Sequence, residues 1–249
     1  MKQFNKHAEA YQKARGKITY PDELYEYLAG ITRGKESALD IGCGNGVSTF
    51  RLQPYFDHVE GVDLGDQLIE KAKLNYKGID FRVSRSENYL PDRTYDLVTS
   101  ATSFYWMDRP KICQNLEKLL NPGGVFCAYK YDWTLVYGPL RNLVEYEMAT
   151  KWSRYRDPRI VDYDDTLEIL EASKVFQHCE RKLISNIIEL SPMDLAYFFL
   201  STSFATRYME EEAEDSYPEE FVNQMIAKAS SDTMIKANFD IHCYIGRKE

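Results

Sequence analysis

The chain has 249 residues with 44% hydrophobic and 28% charged positions, the composition of a protein that folds around a core and not of a disordered one. Its 31 basic against 39 acidic residues leave a formal charge of -8, which repels a phosphate backbone, and no basic cluster offsets it, so no nucleic acid is expected as partner. Cys43, Cys113, Cys127, Cys179 and Cys243 are odd in number and never spaced Cys-x-x-Cys, His7, His58, His178 and His242 lack ligand-like spacing, and no apolar run is of bilayer length. A disulfide framework, a metal and a membrane span are therefore not expected, and a cytoplasmic address is.

In chain order, residues 1–34 read as an N-terminal helical segment. Between 36 and 130, strand-length apolar runs (SALDIG, HVEGVDL, IDFRVS, YDLVTS, GVFCAYK) alternate with segments of helical period. Val47 to Phe56 is one such segment. Pro110 to Leu120 is another, with Ile112, Cys113, Leu116, Leu119 and Leu120 on one face, Asp108 as its cap and Asn121-Pro122-Gly123-Gly124 as its stop. Short connections in such an alternation require parallel strands and right-handed crossovers, hence an α/β doubly wound sheet that binds ligands at the carboxyl ends of its strands.

Beyond Lys130 the rhythm changes. Residues 140–152, 164–174, 193–208 and 219–230 read as helical, and VFQHCERKLISNIIEL as an extended return near 176–190. The closing FDIHCYIG alternates, with Phe239, Ile241, Cys243 and Ile245 on one face and Asp240, His242 and Tyr244 on the other, as in a strand near a sheet edge. The expected organisation is an α/β core over 35–135, a helical cap over 136–234 inserted after the fifth strand, and a core strand in 235–249.

The first strand runs into Leu39-Asp40-Ile41-Gly42-Cys43-Gly44-Asn45-Gly46. Glycines at three alternate positions permit a tight turn and close approach of a ligand to the backbone. A dinucleotide loop separates its last two glycines by three positions to seat a pyrophosphate, whereas here the separation is two. Asp63, seventeen residues beyond Gly46, ends the second strand, where a carboxylate can accept from both hydroxyls of a ribose. With Asp40 it gives an anionic site, suited to a ligand that carries positive charge and no phosphate.

LDIGCGNG, GVDLGDQLIEKA and SENYLPDRTYDLVTSATSFYWMD, together spanning residues 38–108, resemble the class I S-adenosylmethionine-dependent methyltransferases. The resemblance extends to the small-molecule subgroup that includes trans-aconitate methyltransferases. Weaker similarity covers FNKHAEAYQKARGKITYP and LSPMDLAYFFLSTS. The resemblance implies a mostly parallel seven-stranded, Rossmann-like sheet with S-adenosyl-L-methionine as cofactor and S-adenosyl-L-homocysteine as product, the N-terminal segment covering the cofactor. It implies that Asp40, Gly42 and Gly44, with Cys43 between them, hold the methionine end, and that Asp63 and Leu64 hold ribose and adenine. Ser86 and Glu87 then lie near the adenine edge, Ala101 sits under the sulfonium, Tyr11 contacts the cofactor or closes over it, and Arg15 faces its carboxylate. Gly16 stands where the family commonly has proline, and Tyr105 where it usually has histidine.

Methyl transfer from a sulfonium is an in-line displacement in which the protein chiefly aligns the acceptor and excludes water. A carboxylate acceptor needs no base, and no residue of the sequence is marked as one. Acceptor contacts are expected from Tyr105, Trp106, Tyr131 and Trp133, with a cationic clamp from Arg154, Arg156 or Arg159 in KWSRYRDPR. The expected partner is a small-molecule acceptor and the expected state a monomer or homodimer. An NAD-dependent oxidoreductase and a catalytically silent S-adenosylmethionine-binding protein remain alternatives.

Overall fold

The computed structural model describes residues 13–14, 16–161, 164–230 and 233–249. Its elements begin with helix α1 (Asp22–Ile31), strands β1 (Ser37–Ile41) and β2 (His58–Asp63), helix α2 (Asp66–Asn75), and strands β3 (Asp80–Val83) and β4 (Tyr95–Ala101). Helix α3 (Arg109–Leu119), strands β5 (Leu120–Tyr131) and β6 (Leu135–Val136), and helices α4 (Arg141–Glu147) and α5 (Thr166–Ala172) follow. The remainder comprises strands β7 (His178–Ile184) and β8 (Ile187–Leu190), helices α6 (Pro192–Leu200), α7 (Ser203–Glu211) and α8 (Tyr217–Ala229), and strands β9 (Ile235–Asn238) and β10 (Ile241–Arg247). These separate into two compact units.

The larger unit, the described residues of 20–131, 163–184 and 241–249, holds a seven-stranded sheet in the order β3-β2-β1-β4-β5-β10-β7. The strands β1 to β5 pair in parallel, and β10 runs antiparallel to both β5 and β7. Strand order reverses between β1 and β4, the switch point at which a doubly wound sheet opens a crevice. Buried apolar clusters lie on both faces, one around Leu24, Leu28, Cys127 and Ile241, the other around Ile41, Ile112, Leu116 and Phe126. Asp108 caps α3 by accepting from the Lys111 N–H at 3.2 Å. All five cysteines are free thiols.

Three readings of the sequence change. Val47 to Phe56 is not an α-helix: only Thr49–Leu52 forms a 3₁₀ turn, because Pro54 removes a donor within the segment. The closing strand lies one in from the sheet edge, as expected, but both of its faces are covered, so Tyr244 on the second face is buried in the second cluster. The extended run of 176–190 is two strands that serve different sheets.

The smaller unit, the described residues of 1–19, 132–162 and 185–240, contains the three-stranded antiparallel sheet β6-β9-β8 together with α4 and α6 to α8. Its core is aromatic. Trp152, fully buried, lies 5.8 Å from Phe199 and 5.4 Å from Phe221 between ring centroids, and its indole N–H donates to the Tyr217 hydroxyl at 3.0 Å. That hydroxyl in turn donates to buried Glu147 at 2.6 Å, so the polar groups of this core are paired.

Candidate functional site

The glycine loop leaves β1 at the switch point with Gly42, Gly44 and Gly46 all in the left-handed region, at φ of 67°, 54° and 80°. Gly42 and Gly46 need to be glycine for packing as well. A Cβ at Gly42 would lie 2.5 Å from Ser103 Oγ, and one at Gly46 would lie 2.7 Å from Phe81 Cζ. Gly44 is different: among the described residues nothing lies within 4 Å of its Cβ direction, so its outer face is open to them.

The loop amides are spoken for. Gly42 and Cys43 both donate to the Val62 carbonyl, at 2.8 and 3.0 Å, Gly46 donates to the Cys43 carbonyl at 3.0 Å, and Gly44 donates to Asp63 Oδ2 at 2.9 Å. A pyrophosphate cradle requires such amides to point at the ligand. This loop turns them inward.

Asp63 ties the loop to the next crossover, its Oδ1 accepting from the Gly65 N–H at 2.7 Å while Oδ2 holds Gly44. A carboxylate offers about four lone-pair sites, so each oxygen retains one for a ligand hydroxyl. Leu64, 63% exposed, stands beside it, and Val47 and Leu68 are exposed apolar neighbours in sequence of the same loops.

Asp40 lies elsewhere than its reading as a ligand contact requires. It is fully buried, with Oδ2 accepting from Thr49 Oγ1 at 2.6 Å and Oδ1 from Thr99 Oγ1 at 2.9 Å. Burial pushes its carboxyl up to about 6, against the pull of the two hydroxyls and with some help from Asp63. It braces the turn from beneath and does not line an anionic surface.

Cys43 is buried, and burial raises its thiol far above the ordinary range, so it packs and does not react. Ser86 is buried at the end of the β3 crossover. Glu87 accepts from the Asp108 N–H at 3.1 Å, and its carbonyl accepts from Asn115 Nδ2 at 2.8 Å, which fixes the start of α3. Ala101 ends β4. Tyr11 and Arg15 lie outside the described residues.

Of the expected acceptor contacts, Tyr105, Trp106 and Tyr131 belong to the larger unit. Tyr105 and Trp106 pack ring on ring at 5.1 Å with Trp106 45% exposed, and Tyr131 lies half-buried against the first cluster. Trp133, Arg154, Arg156 and Arg159 belong to the smaller unit, where Trp133 packs on Phe199 and Phe204. Arg154 pairs with Glu212 and Arg159 with Asp157, at 2.8 Å for the latter. Arg156 is half-buried with the charge of Asp132 nearby.

Sequence reasoning missed the hydroxyl groups behind the loop. Ser48 bonds to the Tyr25 hydroxyl at 3.0 Å and to the Tyr129 hydroxyl, all three buried. Tyr20 stands edge-on to Tyr129 at 5.4 Å, with its own hydroxyl 3.4 Å from Thr102 Oγ1. No motif marks these residues; Tyr20 lies in the segment FNKHAEAYQKARGKITYP, where Tyr11 and Arg15 drew attention instead.

A doubly wound α/β sheet with a glycine loop at its switch point, an inward-turned set of amides and an acid at the end of β2 places a crevice at the carboxyl ends of the strands. Residues 39–128 match the methyltransferase-domain family. A Dictyostelium discoideum protein named as a methyltransferase is 27% identical over 241 residues, covering 93% of this chain and 90% of its own. Trans-aconitate 2-methyltransferase of Methylobacterium radiotolerans is 30% identical over 98 residues, 38% of each chain. Three further curated relatives are spanned over only 47%, 44% and 63% of their length. Among solved structures, a protein of Anaeromyxobacter dehalogenans named as a type II methyltransferase superposes with a TM-score of 0.78 at 22% identity, over 92% of this chain and 97% of that one.

Proposed function

We propose that the protein transfers the methyl group of S-adenosylmethionine to a carboxylate oxygen of a small molecule. The loop carries the reading: its amides are committed inward while Gly44 presents an open face between the end of β1 and Asp63. A ligand with an amino acid at one end and a ribose at the other fits that surface without needing a phosphate cradle. Gly42 and Gly44 would line the amino-acid end, Asp63 would accept from the ribose hydroxyls through its remaining lone pairs, and Leu64 would cover the adenine. When bound, the cofactor supplies a sulfonium methyl already activated for displacement.

The chain's own part is alignment and exclusion of water. Asp40 with Thr49 and Thr99 stiffens the floor of the turn, and Tyr105 with Trp106 would wall the acceptor side after β4. No residue at the end of β4 is a candidate base, which favours an acceptor already ionised at neutral pH. The acceptor named for the Methylobacterium relative, trans-aconitate, is a carboxylic acid of that kind.

The test is incubation with methyl-labelled S-adenosylmethionine and a panel of carboxylic acids that includes trans-aconitate. An alkali-labile labelled ester is expected. S-Adenosylhomocysteine binding by calorimetry without any labelled ester would instead indicate a binding protein without transferase activity, and nicotinamide dinucleotide binding in its place would favour an oxidoreductase.

A further inference from the structure

Thr102, the residue after β4, has a φ of 49°, in the left-handed region that β-branched residues rarely occupy. Its backbone N–H donates to the Tyr129 carbonyl at 2.7 Å, which holds it there. Strain of this sort persists only where the surroundings impose it, and it gathers at functional sites. The consequence here is directional: Thr102 Oγ1 sits 3.4 Å from the Tyr20 hydroxyl. That distance is at the long limit of a hydrogen bond, so both hydroxyls keep capacity for a shorter one to a third oxygen.

The pair is tied to the glycine loop by a continuous set of contacts. Tyr20 meets Tyr129 edge to face at 85°, the Tyr129 hydroxyl bonds to Ser48 Oγ, and Ser48 lies two residues beyond Gly46. Ser103, the next residue after Thr102, donates from Oγ to the Ile41 carbonyl at 3.3 Å and touches Gly42. The end of β4 and the start of the loop are thus one rigid corner.

We infer that Tyr20 and Thr102 grip the non-reacting oxygen of the acceptor's carboxylate, each hydroxyl donating a hydrogen bond to it. This rests on the function proposed above. Burial around the Tyr20 hydroxyl pushes its ionisation well above the usual phenol range, so the group is a donor at neutral pH and not a base. A donor on one carboxylate oxygen leaves the other free to attack. In the transfer, that oxygen forms the new bond to the methyl carbon and the sulfur–carbon bond breaks with its electron pair remaining on sulfur. The anionic and sulfonium charges cancel, and no proton moves. An amine would have to shed a proton that neither hydroxyl is placed to take.

The experiment is calorimetric titration of the S-adenosylhomocysteine-loaded protein with trans-aconitate, succinate and benzoate, in the wild type and in Tyr20→Phe, Thr102→Val and Thr102→Ser. At least one carboxylate is expected to bind the wild type saturably. Loss of one hydrogen bond to a charged oxygen should weaken it by about tenfold or more in Tyr20→Phe and Thr102→Val. Thr102→Ser, which keeps the hydroxyl, should restore it, with every variant folded and still binding S-adenosylhomocysteine. Equal carboxylate affinity in Tyr20→Phe, or no carboxylate bound by a wild type that does bind S-adenosylhomocysteine, overturns the inference alone. Failure of the wild type to bind S-adenosylhomocysteine overturns the methyltransferase reading first, and the inference with it.

Discussion

The two aspartates of the glycine-loop corner are separated by what their oxygens touch. Asp40 is sealed under the turn by two threonine hydroxyls, whereas Asp63 shares its lone pairs between two loop amides and the open side. Asp40 titrates near 6 when folded and near 3.9 when unfolded, so between those values the folded protein binds the extra proton. Its contribution to stability is therefore fully present below about pH 4 and is lost as pH rises through about 6, a change of about 3 kcal/mol at most. Asp40→Asn is expected to flatten that part of the profile, visible as a smaller fall in denaturation midpoint between pH 4 and 7 than the wild type shows. Asp63→Ala acts on the ligand instead, and should weaken S-adenosylhomocysteine binding by about 1 to 3 kcal/mol, since charge-assisted bonds are lost and Gly44 is released. Unchanged calorimetric affinity in a folded variant would remove Asp63 from the site.

At the scale of elements, the strand–loop–strand corner assigns its glycines different work. Gly46→Ala places a Cβ against Phe81 in a left-handed backbone, and should lower the urea midpoint by an amount equivalent to about 1 to 3 kcal/mol. Gly44→Ala, also left-handed but facing open space, should cost stability only about 1 to 2 kcal/mol and fall mainly on ligand affinity. Equal effects of the two variants on affinity would mean that the open face of Gly44 is not where the ligand lies. The strands β1, β2, β4 and β5 were legible in the sequence because each holds a mostly apolar buried run of at least four residues. The three-stranded sheet was not. The strand β6 has two residues and β9 four, too short for alternation to register, and the passage from β7 to β8 occurs within one unbroken extended run. What divides that run is pairing: the Asn186 N–H donates to Asp240 Oδ1 at 2.8 Å and its carbonyl accepts from the Phe239 N–H at 2.8 Å. Neither partner is near in sequence.

Across the whole molecule, the same limit separates the cofactor side of the site from the acceptor side. Motifs contiguous in sequence marked the loop and Asp63, because one tight turn must be built from consecutive residues. The pair Tyr20 and Thr102 and the chain through Ser48 and Tyr129 draw on four separated stretches, and only the folded sheet brings them together. Among the described residues no helix is long and apolar enough to cross a membrane, and no group of three acidic, His or Cys side chains is placed to hold a metal ion. Ligand linkage therefore gives the most direct global test of the cofactor. A ligand that binds only the folded chain stabilises it by RT ln(1 + [L]/Kd), about 2.7 kcal/mol at a hundredfold excess over Kd. S-Adenosylhomocysteine should raise the melting temperature progressively with concentration, by several degrees at saturation-level excess. Nicotinamide dinucleotide should not, because the amides of residues 42, 43, 44 and 46 are already committed within the protein and leave the pyrophosphate without donors. A melting curve that moved with the dinucleotide and stayed fixed with S-adenosylhomocysteine would mean that the loop opens to release those amides, and the assignment of the crevice would have to be reversed.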